Sequence, residues 1–273
     1  MIAGTYRRPA LGRALLRTAV LGIAAFLIAP LLVVIPMSFS DSTLMHFPPQ
    51  RLSLRWYEVY FSSRAWIDAT WVSLKAGLLV AAISTVLGIA AAMGLARGRF
   101  AGRAALQSFI LSPLVVPVII LAVGLYYFYS FFRLNGTLTG LVLGHVVLTF
   151  PYALVVISAS LEELDPALEQ AAQGLGASPF NAFRRVTLPM IAPGVGVAFL
   201  FSFLTSFDEV VLAVFITGPE TTTLPRKMWE GIRFELNPTI AAVSTLLIAV
   251  SWSLMLLVAH LRRGQRTRKP RNS

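Results

Sequence analysis

Six long apolar segments, near residues 15–38, 70–95, 106–131, 138–160, 190–216 and 238–260, limit what this chain can become. Each is long enough to cross a bilayer, which takes about twenty residues in a helix. Inside the hydrocarbon the backbone's polar groups find no water, and a helix satisfies them internally. Composition agrees, with 56% of residues hydrophobic, 13% charged and a mean hydropathy of +0.74. Soluble domains carry about 25% charged residues. The expected fold class is therefore an all-α membrane protein of six transmembrane helices. A basic N-terminus at 1–14 precedes a membrane domain at 15–261, and a basic tail follows at 262–273. The first run is too long for a typical signal peptide and has no clear small-residue cleavage site, so it reads as a retained span.

The basic residues orient these spans. With six spans, both termini share a side with the loops after the second and fourth. That side carries fifteen Lys and Arg, including Arg97, Arg99, Arg103, Arg184, Arg185 and the run from Arg262 to Arg271. The other side carries seven, and Lys75 lies within the second span. The excess marks the first side as cytoplasmic. A net charge of +11 thus calls for no nucleic acid, and the basic tail reads as an anchor against anionic lipid. With no cysteine, disulfides, thiolate metal sites and a cysteine nucleophile are excluded. His46, His145 and His260 are scattered with no nucleophile pattern nearby. No Gly-rich phosphate loop is present, so any ATP that drives this chain is bound by another subunit.

One polar stretch breaks the apolar pattern, the loop at about 161–189 (EELDPALEQAAQGLGASPFNAFRRVTLP from Glu162). Asp165-Pro166 is a helix start, a capping side chain followed by a proline whose missing N–H costs nothing at the first position. Leu168, Ala172 and Leu175 share a face, and Gly176 supplies a left-handed stop. Ser178-Pro179 repeats the start, and Leu188-Pro189 leads back into an apolar span. The expectation is two short helices on a turn, with an alanine- and glycine-faced surface that another protein can approach closely. An amphipathic loop lying on lipid fits the geometry equally well.

Within the spans, Gly77, Ala81, Ser84, Gly88 and Ala92 form a stripe of small residues that lets helix backbones approach closely. Pro113 and Pro117 in the third span and Pro151 in the fourth are expected to kink their helices. The fifth span holds Asp208 and Glu209, and ionisable groups at that depth face a cavity, a bundle interior or a partner. If the helix is continuous, Thr205, Asp208 and Leu212 share a face with Phe203 and Phe207 beside it. A carboxylate among aromatic rings suits an organic cation. Pairing of one acid with Lys75, or hydrogen bonding within the bundle, fits as well.

The loop resembles a known family. Gln170-Ala171-Ala172, three residues, Gly176, nine residues and Val186-Thr187-Leu188-Pro189 is similar to the EAA loop of bacterial ABC importer permeases. The family has glutamate where this chain has Gln170, with Glu169 one residue earlier, and isoleucine in place of Val186. The resemblance implies a coupling helix seated in an ATPase groove, formed by Glu169, Gln170, Ala171, Ala172, Gly176, Val186, Leu188 and Pro189. Ser53–Tyr57, Ser206–Glu209, Thr223–Trp229, Ile232–Glu235 and Pro238–Ala242 further resemble spermidine/putrescine-type permeases. That likeness implies an inner-membrane complex of two homologous permeases, an ATPase dimer that binds ATP and Mg, and an external solute-binding protein. It implies no cofactor in this chain, and a substrate path past Thr205, Phe207, Asp208 and Glu209. The same subfamily carries other small solutes, such as amino acids or opines. An ion-coupled secondary transporter would show more spans and an inverted repeat, and neither is visible.

Overall fold

A computed structural model describes residues 10–43, 46–235 and 237–266. The basic residues expected at 1–9 and 267–273 lie outside the described residues. Backbone hydrogen bonds close almost entirely within helices, and the described residues hold no strand beyond one isolated bridge. The first helices are α1 (Ala10–Met37), α2 (Arg55–Ser62), α3 (Arg64–Arg97), α4 (Arg103–Leu111), α5 (Val118–Phe132) and α6 (Leu138–Glu162). They are followed by α7 (Pro166–Gly174), α8 (Pro179–Ala182), α9 (Leu188–Phe207), α10 (Val211–Ile216), α11 (Leu224–Glu230) and α12 (Thr239–Arg266). The chain divides into two compact units, one from residues 1–63 with 231–273 and a larger one from Arg64 to Glu230.

In the smaller unit, α12 packs against α1 and α2. The apolar side chains of α1 are mostly exposed, as in Phe26 at 78%, a pattern that in a helix this apolar marks a lipid-facing surface. The return to α2 is fixed by an antiparallel bridge between Ser40 and Leu52, and by a 2.7 Å hydrogen bond between the Ser38 and Tyr57 hydroxyls.

The larger unit is built on α3, α6 and α9 packed against one another. The small stripe of α3 explains how they meet, for Gly77, Ala81, Ser84, Gly88 and Ala92 are all buried. A Cβ on Gly88 would lie 3.0 Å from the Cβ of Ala153 on α6, and one on Gly77 would lie 3.0 Å from the Phe203 ring of α9. Close backbone approach replaces the hydrophobic effect where the surroundings are as apolar as the helices. Ser84 and Thr149 share a 2.7 Å hydrogen bond across the α3–α6 seam.

Proline acts more strongly in the third span than the expected kink. The helix ends in a 3-10 turn at Ser112–Leu114, and α5 restarts after Pro117 at 103° to the first half. Pro117 has no N–H to give to the turn before it, and its ring disfavours the helical region for Val116. By contrast, α6 runs unbroken through Pro151, which is buried in it. Among the described residues, four helices are long and apolar enough to cross a membrane, or five if the bent pair is one span. The sixth expected span corresponds to α12, whose described apolar stretch, Thr239–Ser253, is shorter than a span.

The fifth span is also broken. Helix α9 ends at Phe207 and α10 begins at Val211. The chain turns at Gly218, which packs tightly on Gly136 (a Cβ there would lie 3.1 Å from the Gly136 Cα). Gly136 N–H donates to Ile216 O at 2.8 Å, and Arg226 donates to the Thr217 carbonyl at 2.7 Å and to Glu230 at 2.8 Å. A cation at the C-terminus of α10 matches the negative end of its dipole.

Candidate functional site

The polar loop folds as its caps dictate at the start and differs at the end. Asp165 Oδ1 accepts from Ala167 N–H at 2.9 Å, with Pro166 at the first position of α7. At the other end Gly176 takes φ +92°, and the N–H groups of Gly176 and Ala177 donate back to Gln173 and Ala172 at 2.9 and 3.1 Å. That is the paired closure of a left-handed helix stop. Ser178 Oγ then accepts from Asn181 N–H at 3.3 Å. The second short helix is not separate, however. α8 passes through a π-turn at Phe183–Thr187 straight into α9, giving one helical run from Pro179 to Phe207.

The loop turns its sides in opposite directions. Leu175 is 91% exposed and Phe180 68%, with Leu168, Gln170, Ala171 and Gly176 also open and Ala172 half-buried. Val186 and Leu188 are partly covered and Pro189 is exposed. Glu169, grouped with these residues by resemblance, faces inward instead. Its Oε2 accepts from Arg97 Nη2 at 2.5 Å and from Thr187 Oγ1 at 2.9 Å. Sequence spacing held no signal for this contact, since its three members lie on separate helices. A cleft of about 630 Å³ beside it is lined by Arg97, Arg99, Arg103, Glu162 and Gln170.

At the break in the fifth span, the two acids part company. Asp208 is the C-cap of α9 and is exposed, and its side chain makes no hydrogen bond or ion pair among the described residues. Glu209 instead caps α10, accepting from Val211 N–H at 3.0 Å and from Ala213 N–H at 3.2 Å. It satisfies two orphan donors and places an anion at the positive end of that helix. Its Oε2 lies 3.8 Å from Nε2 of His145, which is buried in α6 and bonded through Nδ1 to Ser206 Oγ at 2.8 Å. Ser206 is buried too, so this Ser-His-Glu group offers no open nucleophile. Thr205 is half-buried, and Phe207 stacks on Phe203 at 5.7 Å. Because the helix breaks, the face expected to join Thr205, Asp208 and Leu212 does not run through, and Leu212 is buried. Lys75 is exposed on α3 and forms no ion pair with either acid.

Long apolar helices, a capped polar loop and a discontinuous, acid-bearing span are the features of a membrane transport permease. The model of the family described as "Binding-protein-dependent transport system inner membrane component" matches residues 84–267, and the chain belongs to that family. It is thus an inner-membrane permease subunit of an ABC importer. It is 36% identical to the putrescine transport system permease protein PotI of Escherichia coli over 84% of this chain and 86% of that one. It is 27% identical to the spermidine/putrescine transport system permease protein PotC of Escherichia coli, over 91% of this chain and 93% of that one. The fold is similar to that of a bacterial alginate ABC transporter solved in complex with alginate pentasaccharide-bound periplasmic protein. There the TM-score is 0.70 and identity 20%, over 95% of this chain and 96% of that one.

Proposed function

We propose that this chain forms half of the path by which an ATP-driven importer carries a cationic polyamine such as putrescine or spermidine. A second homologous permease supplies the other half, and an external solute-binding protein delivers the solute. ATPase subunits, which bind ATP and Mg, dock on the α7 loop, so this chain needs no cofactor of its own. Both termini and the loop are cytoplasmic, on the side with the basic excess. Ser40–Ala69 and Gly218–Asn237 face outward toward the binding protein.

The observation that carries the cationic reading is the division of labour between Asp208 and Glu209. One carboxylate is held by the backbone, while its neighbour stays open at the carbonyl end of α9. Broken helices in transporters present such ends to cations. A charge on the protein lowers the cost of moving the opposite charge to membrane depth. The Phe203–Phe207 pair offers ring faces beside it. Likeness to a putrescine permease supports the same class of cargo. For the loop, the support is its open apolar side, since Leu168, Leu175 and Phe180 together call for a covering partner.

Calorimetry on the solute-binding protein that works with this chain tests the cargo. Saturable binding of putrescine or spermidine with no heat from a neutral amino acid is expected. Selective binding of a neutral or anionic solute contradicts the cationic reading.

A further inference from the structure

Glu169 is the one buried residue of α7, and it is a charge. A helix that rests on a membrane bundle usually does so through an apolar face, whereas α7 keeps Leu168 open and turns a carboxylate inward. One oxygen of that carboxylate receives both Arg97, the last residue of α3, and Thr187, which closes the π-turn leading into α9. A single atom therefore ties α7 to two of the three helices of the central bundle. The site is built for this. Arg97 sits at a helix C-terminus, where a cation is favoured. The π-turn leaves Thr187 buried with its hydroxyl on the carboxylate.

We infer that Arg97, Glu169 and Thr187 form a strut that sets the angle of α7 on the bundle and passes its displacement to α3 and α9. The inference rests on the reading that α7 docks on an ATPase. Apolar contacts slide, whereas a charge-assisted hydrogen bond has a preferred length and direction. Without the strut, α7 keeps the turns at Glu163–Asp165 and Leu175–Ser178 and its packing against α8 and the π-turn, but loses its charged tie to α3. It can then swing without moving α3. Arg97, Glu169 and Thr187 are positioning residues in this account, since none of them needs to touch solute or nucleotide.

The test is the number of ATP molecules hydrolysed per solute imported by the complete complex in proteoliposomes. Glu169→Gln keeps the side-chain size and removes the charge, and it should raise that ratio roughly tenfold. The exchange of Arg97→Glu with Glu169→Arg should recover much of the loss, and Thr187→Val should give a smaller change of the same sign. A second readout needs no ATPase. The chain has no cysteine, so spin labels at Gln173→Cys on α7 and Ala90→Cys on α3 report their separation directly. That distance distribution should broaden in Glu169→Gln. An unchanged ATP-to-solute ratio in Glu169→Gln overturns the strut, as does an unbroadened distribution. Import by a wild-type preparation that contains no ATPase removes the docking reading itself, and the strut's role with it.

Discussion

His145 and Glu209 come within 3.8 Å of each other in the interior of the larger unit, where α6 faces the break between α9 and α10. The imidazole is anchored on its far side by Ser206, and the carboxylate closes the first turn of α10. This arrangement makes Glu209 part of the scaffold that holds the break in shape, and leaves Asp208 to the space outside it.

Glu209→Ala should therefore destabilise the protein. Loss of a side-chain cap costs about 0.5–2 kcal/mol, and His145 would be left facing an empty position. Thermal unfolding in detergent measures this, with a lowered midpoint expected for Glu209→Ala and an unchanged one for Asp208→Asn. Equal midpoints for wild type and Glu209→Ala would contradict the scaffold role.

At Gly88 the small-residue stripe of α3 lies close against α6. A Cβ there meets Ala153 at 3.0 Å on its Cβ and 3.2 Å on its backbone carbon, neither of which can rotate away. Gly88→Val should cost about 1–3 kcal/mol through overpacking. Gly94→Ala, with nothing within 4 Å, should be neutral or slightly stabilising. Comparable melting behaviour for the two variants would argue against close packing at this seam.

The loop surface should not accept bulk. Ala172→Trp adds a large ring to the side of α7 proposed to meet the ATPase, while the spans lie elsewhere and should insert normally. Solute-stimulated ATP hydrolysis is expected to disappear in that variant. Gly176→Asp should act differently, straining a backbone at φ +92° that side chains avoid, at about 1 kcal/mol. Normal stimulated hydrolysis in a well-inserted Ala172→Trp complex would remove this loop from the docking interface.

Much of the fold was legible because its signals are local. Runs of apolar residues mark helices wherever they fall, and Asp165-Pro166, Gly176 and Ser178-Pro179 each act within one turn of the chain. The stripe from Gly77 to Ala92 was readable for the same reason, as one helix displays it alone. Breaks were harder. Pro113 and Pro117 announce an interruption, but a kink and a 103° turn share the same residues. At Asp208–Val210 no proline or glycine warns of a break. There Glu209 caps the start of α10, a role that sequence alone leaves indistinguishable from pairing with Lys75. The contacts of Glu169 with Arg97 and Thr187, and of His145 with Ser206, join positions 18 to 72 residues apart, where local periodicity has no reach.

Topology is open to a chemical test, helped by the absence of cysteine. Single cysteines at Thr43 and Thr222 should react with an impermeant thiol reagent from outside intact cells, whereas one at Gln173 should react only after permeabilisation. Protection of both outer positions in intact cells would reverse the assigned orientation.

Uptake of labelled putrescine by proteoliposomes holding the complete complex, wild type against Asp208→Asn, bears most directly on the central claim. Asparagine keeps the volume and hydrogen-bonding capacity and removes only the charge. Loss of one charged contact to the cargo is worth about 1.5–3 kcal/mol. Uptake should accordingly fall roughly ten- to a hundredfold, with assembly and thermal stability intact. Wild-type uptake by Asp208→Asn, in a complex that hydrolyses ATP normally, would contradict the claim that this open carboxylate carries a cation through the fifth span.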